Sequence, residues 1–247
     1  REDGGKGGSR HFHEKLREGA ELRLRGPSNH FKLDEDSFHT TLVAGGIGIT
    51  PILAMADRLR ALGRPYAIHY AGRSRRTMAF LDRLAQDHGD ALTLHVGDEG
   101  ARADLPALVA ALPEGGRIYA CGPQRMLDAL DDLTADLPDG TYHFEHFQAA
   151  DTALDPDREH AFDLDLADSG LTVHVAADTT VLDALKSAGI DIACDCREGL
   201  CGSCEVRVLE GEIDHRDQVL TRAERAGQSR MMTCCSRAAG QTLKLAL

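Results

Sequence analysis

The sequence predicts an α/β fold built on a parallel β-sheet, followed by a second domain of different composition. Between residues 37 and 147, short apolar runs alternate with helical patterns. Alternating strands and helices form a parallel sheet that helices cover on both faces. Residues 148–160 are polar, carry a proline and lack periodicity, which is typical of a linker. Residues 161–247 hold six of the seven cysteines, and residues 1–36 form a Gly-rich, polar front.

The first strand and helix of the α/β domain have clear boundaries. Thr40–Ala44 is a short run of β-branched and apolar residues, which predicts a buried strand. Thr50 and Pro51 then predict a helix start, with Thr50 as the N-cap and Pro51 in the first turn. Apolar residues continue at helical spacing until Gly63, a typical helix end.

The later elements repeat this alternation. Short apolar runs bounded by polar residues predict further strands at residues 66–70, 92–96, 117–121 and 141–144. Amphipathic patterns predict helices at residues 78–88, 104–112 and 124–133. Asp104 is a suitable N-cap for the second of these. In the front, the alternating run at residues 21–25 predicts one more strand.

Length and charge exclude two classes of partner. The chain has 247 residues and a net charge of −12. No stretch approaches the roughly 20 apolar residues that span a bilayer, and an acidic chain lacks the basic face of a general nucleic-acid binder. We therefore expect neither membrane nor nucleic acid as a partner. The chain opens at Arg1 without a secretory leader, so we expect a cytoplasmic protein whose polypeptide begins farther upstream.

The cysteines of the C-terminal part carry the strongest signal. Cys196, Cys201 and Cys204 have the spacing C-x4-C-x2-C, and Cys234 follows farther along the chain. This spacing is that of plant-type [2Fe–2S] ligation, in which a tight loop supplies three thiolates and a distant strand the fourth. The sequence therefore predicts a [2Fe–2S] cluster on these four residues.

Two other interpretations of the cysteines stay open. A four-cysteine zinc site usually has two C-x2-C pairs, and this sequence has one in the cluster region. Cys194 and Cys235 stand beside ligands but off the spacing, which favours packed thiols.

A Gly-rich turn joins the first strand to its helix. Gly45, Gly46 and Gly48 would let a pyrophosphate approach the backbone, and the helix that begins at Thr50 and Pro51 would supply N–H donors and a positive dipole end. Pro51 stands where a full dinucleotide fingerprint has its third glycine. The alternative is a tight strand-to-helix turn with no ligand.

A second turn follows the fourth strand. Cys121, Gly122 and Pro123 lie at the carboxyl edge, where doubly wound sheets bind ligands. Cys121 taken alone is more typical of a buried strand thiol.

The end of the second strand lacks the acidic residue that takes a ribose 2′-hydroxyl in many NAD enzymes. Arg73 and Arg75 stand there instead and could accept the 2′-phosphate of NADPH, although a solvated basic turn is the alternative. Asp98, after the third strand, could bind a ribose hydroxyl.

These motifs together resemble a known family. The Gly45–Pro51 turn with Cys121-Gly-Pro resembles the ferredoxin–NADP reductase superfamily, in which the cysteine lies beside the nicotinamide ring. The C-terminal part resembles a plant-type ferredoxin, which implies a β-grasp fold. The two in this order resemble the phthalate dioxygenase reductase family over almost the whole chain. The resemblance implies electron transfer from NADH or NADPH through FMN and [2Fe–2S] to a terminal oxygenase, separate or fused.

The resemblance also assigns a flavin site. Gly7, Gly8 and Ser9 resemble the family's flavin-phosphate loop, residues 26–31 the last segment of its flavin barrel, and Phe147 the aromatic that lies against the isoalloxazine. The family's Arg-x-Tyr-Ser motif is absent. Residues 1–36 are therefore predicted to be only the C-terminal remnant of an antiparallel flavin-binding barrel.

Three other functions stay open at this point. The chain could be a flavin-less, ferredoxin-type electron carrier. It could be the reductase tail of a self-sufficient haem monooxygenase, or a structural zinc protein.

Overall fold

The computed structural model describes residues 8–23, 29–147, 154–155 and 159–247. The helices in these ranges are α1 (Gly8–Glu14), α2 (Ile49–Leu62), α3 (Leu81–His88), α4 (Leu105–Ala110), α5 (Gln124–Thr134), α6 (Val181–Ser187) and α7 (Arg222–Ala226). The strands are β1 (Thr40–Gly45), β2 (Tyr66–Gly72), β3 (Leu92–Val96), β4 (Arg117–Cys121), β5 (Tyr142–Glu145), β6 (Phe162–Leu166), β7 (Leu171–Val175), β8 (Glu205–Glu210), β9 (Ile213–Asp214), β10 (Arg230–Met232), β11 (Arg237–Ala238) and β12 (Thr242–Leu245).

The first five strands form a parallel sheet in the order β3-β2-β1-β4-β5. Alternate side chains of β1 enter two cores. Leu42 and Ala44 pack with α2 on one face, and Val43 packs with α4 and α5 on the other. The chain runs outward from β1 to β3 and then returns to place β4 on the other side of β1. The carboxyl ends of β1 and β4 therefore form the switch point of a doubly wound sheet.

Two helix starts differ from the sequence prediction. A 3₁₀ turn over Gly46–Gly48 leads directly into α2, so Gly48 is the N-cap. Thr50 is not the cap, and its Oγ1 donates instead to the carbonyl oxygen of Ile47 at 3.1 Å. Helix α3 begins later than predicted, at Leu81, because Phe80 adopts a left-handed conformation with φ 62° that a helix does not contain.

The C-terminal domain contains a second five-stranded sheet, in the order β10-β8-β12-β6-β7. β6 and β7 form an antiparallel hairpin, and β12 returns to pair with β6 in parallel. Helix α6 buries Val181, Ala184 and Leu185 in one core with the inward side chains of these strands. This arrangement is the β-grasp that the resemblance implies.

The front of the chain differs from the prediction. Gly8 and Ser9 lie in α1 instead of a loop, and Gly7 lies outside the described residues. Of the strand predicted at residues 21–25, residues 21–23 are irregular and the rest is not described. A strand needs a neighbour for its backbone groups, and the described residues before Thr40 contain none.

Polar side-chain contacts join the C-terminal domain to the rest of the chain. Arg222, the first residue of α7, pairs with Asp131 and Asp132 on α5. His30, in the segment before β1, lies 3.1 Å from Asp195. The C-terminal domain therefore packs against α5 and against the segment that precedes the parallel sheet.

Candidate functional site

The two turns at the switch point pack against each other backbone to backbone. A Cβ on Gly45 would lie 2.5 Å from Cδ of Pro123, and one on Gly48 would lie 2.0 Å from the carbonyl oxygen of Cys121. A Cβ on Gly122 would lie 2.9 Å from Cα of Gly45. Side chains do not fit at such distances, so the fold itself requires these three glycines.

The outer side of the Gly-rich turn is open. A Cβ on Gly46 would meet nothing within 4 Å, and the neighbouring Ile47 is 64% exposed. Thr50 is exposed and Pro51 half-buried in the first turn of α2. The N–H groups and dipole at a helix N-terminus favour an anion. A pyrophosphate therefore has an open approach to this turn.

Cys121 ends β4 with its thiol buried. The residue is 1% exposed, and burial, followed by the carboxylate of Glu145, raises the pKa of Cys121 to about 12. Cys121 is therefore a neutral thiol near pH 7. Because the thiolate is the nucleophile, a buried neutral thiol at this position is not suited to covalent catalysis.

The predicted ribose site lies at the carboxyl ends of β2 and β3. The guanidinium of Arg75 is already engaged there, by both carboxylate oxygens of Glu99 at 2.6 and 3.0 Å. Arg73 and Asp98 are exposed, and the N–H of Asp98 donates to the carbonyl oxygen of Arg73 at 2.9 Å. The structure thus brings the three predicted residues together and adds Glu99, which the sequence analysis missed.

The four cysteines of the predicted ligand set come from one loop and from a turn farther along the chain. Cys196 and Cys201 are half-buried, Cys204 and Cys234 are buried, and the Sγ atoms of Cys204 and Cys234 lie within 4.8 Å of each other. A plant-type [2Fe–2S] cluster takes four cysteine thiolates, three from a tight loop and one from a distant segment. The donor set therefore fits the cluster.

The cluster loop, residues 194–204, is braced by Ser203. The N–H of Asp195 donates to Oγ of Ser203 at 2.9 Å, and this hydroxyl lies 3.1 Å from Sγ of Cys201. Burial opposes ionisation of Cys201, but hydrogen bonds from Ser203 and Cys196 outweigh it and lower the pKa of Cys201 to about 7. A lowered pKa favours the thiolate that iron requires.

Cys194 lies among the ligand thiols, although the ligand spacing leaves it out. The Sγ atoms of Cys194, Cys204 and Cys234 all lie within 4.8 Å of one another. The sequence offered no signal for this proximity, because it depends on how the loop folds back. Cys235 is buried, and its Sγ lies 3.8 Å from the carbonyl oxygen of Met232, as in a packed thiol.

A cleft of about 850 Å³ separates the cluster loop from the α/β domain. Phe31, His143 and Phe144 line one side, and residues 201–203 line the other. The volume is within the range of cofactor pockets. Phe147 follows β5 and is 49% exposed, and it is not among the described residues that line the cleft.

Comparison with known proteins decides the family. Residues 164–239 match the 2Fe-2S iron-sulfur cluster binding domain. The chain is 47% identical over 237 residues to the phenoxybenzoate dioxygenase subunit beta of Ectopseudomonas oleovorans, covering 96% of this chain and 73% of that protein. The structure of phthalate dioxygenase reductase, described as transferring electrons from pyridine nucleotides to [2Fe-2S], is 36% identical with a TM-score of 0.62, covering 100% and 77%. The chain belongs to the phthalate dioxygenase reductase family.

Membership in the phthalate dioxygenase reductase family confirms the fold class, the [2Fe–2S] domain and the electron-transfer oxidoreductase predicted from the sequence. The cofactor set expected from the resemblance, [2Fe–2S] with FMN and a nicotinamide nucleotide, is that of this family. No helix in the described ranges is long and apolar enough to cross a membrane.

Longer proteins also contain this reductase arrangement. The chain is 58% identical to an intact type IV self-sufficient cytochrome P450 monooxygenase (TM-score 0.78). It is 52% identical to full-length CYP116B46 from Tepidiphilus thermophilus (TM-score 0.92). Each match covers this chain completely but only 32% and 33% of those chains. The chain therefore spans about a third of the length of these two relatives.

Proposed function

We propose that this chain carries electrons from NADH or NADPH through FMN to its [2Fe–2S] cluster and on to a haem monooxygenase domain. One structural observation supports the proposed electron path. Strand β5, residues 29–32 and the cluster loop line a single cleft. The segment that resembles the flavin side of the family therefore faces Cys201, one of the four predicted iron–sulfur ligands, across this cleft.

The nicotinamide nucleotide would bind along the switch point. Gly46 and the first turn of α2 offer an open anion site for the pyrophosphate, while Gly45, Gly48 and Gly122 shape the turns beneath it. The nicotinamide ring would lie near Cys121, whose buried thiol is neutral. Thr50 and Pro51 would adjoin the pyrophosphate, and Pro123 would adjoin the nicotinamide end. Arg73, Arg75 and Asp98 would bind the second ribose and its substituent.

The cluster would be held by the thiolates of Cys196, Cys201, Cys204 and Cys234. When bound, flavin and cluster together would allow the two electrons of the nicotinamide donor to be passed on one at a time. The protein's part is to position them. Ser203 braces the loop that carries the first three ligands, and the contact of Arg222 with α5 sets the cluster domain against the α/β domain.

FMN would use the α/β side of the cleft. Phe31 and His143 each pack on Tyr119 there, with ring centroids 5.7 and 4.6 Å from it, and so form an aromatic wall. Phe147, exposed at the end of β5, would cover the flavin ring. Gly7, Gly8 and Ser9 stay candidates for the flavin phosphate on the family resemblance alone.

The proposed acceptor is a haem monooxygenase domain in the same polypeptide. The identities of 58% and 52% to the two cytochrome P450 chains exceed the 47% and 42% to reductases of dioxygenase and carnitine monooxygenase systems. A separate terminal oxygenase is the second candidate, because those reductases match almost the whole chain. We also propose a cytoplasmic location, since the cysteines form a ligand cluster and not a disulfide framework.

Visible spectra test the proposal. The purified polypeptide is scanned anaerobically before and after NADH or NADPH. We expect bleaching of both flavin and iron–sulfur absorbance, followed by a haem–CO band if the polypeptide carries a haem domain. Iron–sulfur absorbance that neither nucleotide changes would reduce the chain to an electron carrier. Reduction without haem in the source polypeptide would favour a separate oxygenase.

A further inference from the structure

The ion pair between Arg75 and Glu99 links the loops after β2 and β3. Nε of Arg75 lies 2.6 Å from one carboxylate oxygen of Glu99, and Nη2 lies 3.0 Å from the other. This two-point geometry is the one in which a guanidinium binds a carboxylate or a phosphate most strongly. Glu99 therefore occupies the Nε–Nη2 face of Arg75, one of the two faces on which a guanidinium can bind a phosphate with two donors.

The surroundings of the pair mark it as part of a ribose subsite. The N–H of Asp98 donates to the carbonyl oxygen of Arg73, which holds the two loops in register. Arg73 and Arg76 are exposed, and within the described part of the chain neither forms an ion pair. A nucleotide whose pyrophosphate lies at the β1–β4 switch point has its adenosine end over the neighbouring strand ends, β2 and β3.

We propose that Glu99 is a specificity-determining residue that restrains the use of NADPH by holding Arg75. The proposal rests on the nucleotide site proposed above and extends it to the choice between the two nucleotides. The 2′-phosphate of NADPH must displace Glu99 to reach the Nε–Nη2 face of Arg75, and at the remaining Nη1 side it meets a guanidinium whose charge Glu99 already balances. It also meets the negative charges of Glu99 and Asp98. The 2′-hydroxyl of NADH can donate a hydrogen bond to either carboxylate and needs no such displacement.

The restraint is partial. The side chains of Arg75 and Glu99 are 54% and 48% exposed, and exposed ion pairs contribute little to binding or stability. Removing the carboxylate should therefore raise the ratio of kcat/KM for NADPH to that for NADH by about fivefold, mainly through KM. The hydrogen bond from Arg75 lowers the pKa of Glu99, so the restraint persists throughout the neutral pH range.

The test compares Glu99→Gln with the parent protein in the complete polypeptide. Reduction by NADH and NADPH is measured under anaerobic conditions, and binding of 2′,5′-ADP and 5′-AMP is measured by calorimetry. Glu114→Gln is the matched control. Glu114 is exposed and precedes β4, so it lies at the amino ends of the parallel strands, away from the proposed ribose site. The double variant Glu99→Gln/Arg75→Gln tests whether the gain depends on Arg75.

We expect Glu99→Gln to gain about fivefold for NADPH over NADH and for 2′,5′-ADP over 5′-AMP. The gain should be absent from Glu114→Gln and from the double variant. An unchanged ratio in Glu99→Gln, or the same gain in either comparison variant, would overturn the proposal. If neither nucleotide reduces the parent protein, the proposed function fails. The binding of 2′,5′-ADP and 5′-AMP, measured by calorimetry, still tests the role of Glu99.

Discussion

The carboxyl edge of the parallel sheet and the cluster loop both carry a binding motif in a short turn, but different demands select their residues. At the sheet edge, Gly45, Gly48 and Gly122 are needed because two backbones touch. In the cluster loop, no backbone contact requires a cysteine at positions 196 or 201, and only iron chemistry selects it. The glycine motif at the sheet edge therefore indicates the fold as well as a ligand, whereas the cysteine motif in the cluster loop indicates the ligand alone.

The largest expected effect is loss of the cluster from a variant that keeps its fold. Cys201→Ala leaves only three of the four thiolates that a [2Fe–2S] cluster takes, so iron and acid-labile sulfide should fall close to zero while far-ultraviolet circular dichroism stays unchanged. Reduction of a dye that takes electrons from flavin should continue. Iron analysis and visible spectra measure the outcome.

Cys194→Ala and Cys235→Ala are the controls for the cluster prediction. Both should keep full iron content, because both residues lie off the ligand spacing. If Cys194→Ala lost the cluster and Cys201→Ala retained it, the group formed by Cys194, Cys204 and Cys234 would be the true ligand set.

A methyl group added to a glycine at the carboxyl edge of the sheet should lower the unfolding free energy. Gly48→Ala places a Cβ 2.0 Å from the carbonyl oxygen of Cys121, and we expect a loss of unfolding free energy of about 3 kcal/mol. Gly46→Ala meets open space and should lose about 1 kcal/mol, because φ 57° strains a residue with a side chain. Thermal unfolding followed by circular dichroism separates the two, and equal losses would contradict the packing argument.

A smaller effect is expected at the contact between the domains. Arg222→Gln removes the ion pairs with Asp131 and Asp132, and we expect cluster reduction to slow by about twofold at low salt and less at high salt. Rapid-mixing absorbance measures this rate. Lys244→Gln, which breaks a pair with Glu210 inside the C-terminal domain, should leave the rate unchanged, and an equal slowing would argue against the contact.

The smallest effect concerns pH. Because the pKa of Cys121 is raised to about 12, the thiol stays protonated below that value and does not titrate near neutrality. Cys121→Ser should therefore change the rate of nucleotide oxidation without moving its pH profile between about pH 6 and 9. Steady-state rates across this range provide the test, and a displaced profile would show that the thiol ionises during turnover.

Much of this architecture could be predicted from local chemistry. The strand at residues 92–96, the cap at Asp104 and the helix end at Gly63 depend on side chains close together in sequence, and the structure has each of them. The helix start at Thr50 was predicted wrongly because the preceding glycines already wind into the helix. The strand at residues 21–25 has no described partner, and a strand depends on its neighbour more than on its own alternation.

The sequence by itself determined the order of the domains, the parallel sheet and the cysteines with cluster spacing, because periodicity and ligand spacing are local properties. Tertiary structure alone decided that Glu99 engages Arg75, that Cys194 lies beside Cys204 and Cys234, and that three glycines lie where two turns pack closely. Each of these depends on segments far apart along the chain, brought together by strand order and by the fold of a loop. Local residue spacing and periodicity do not indicate contacts between segments that are far apart along the chain.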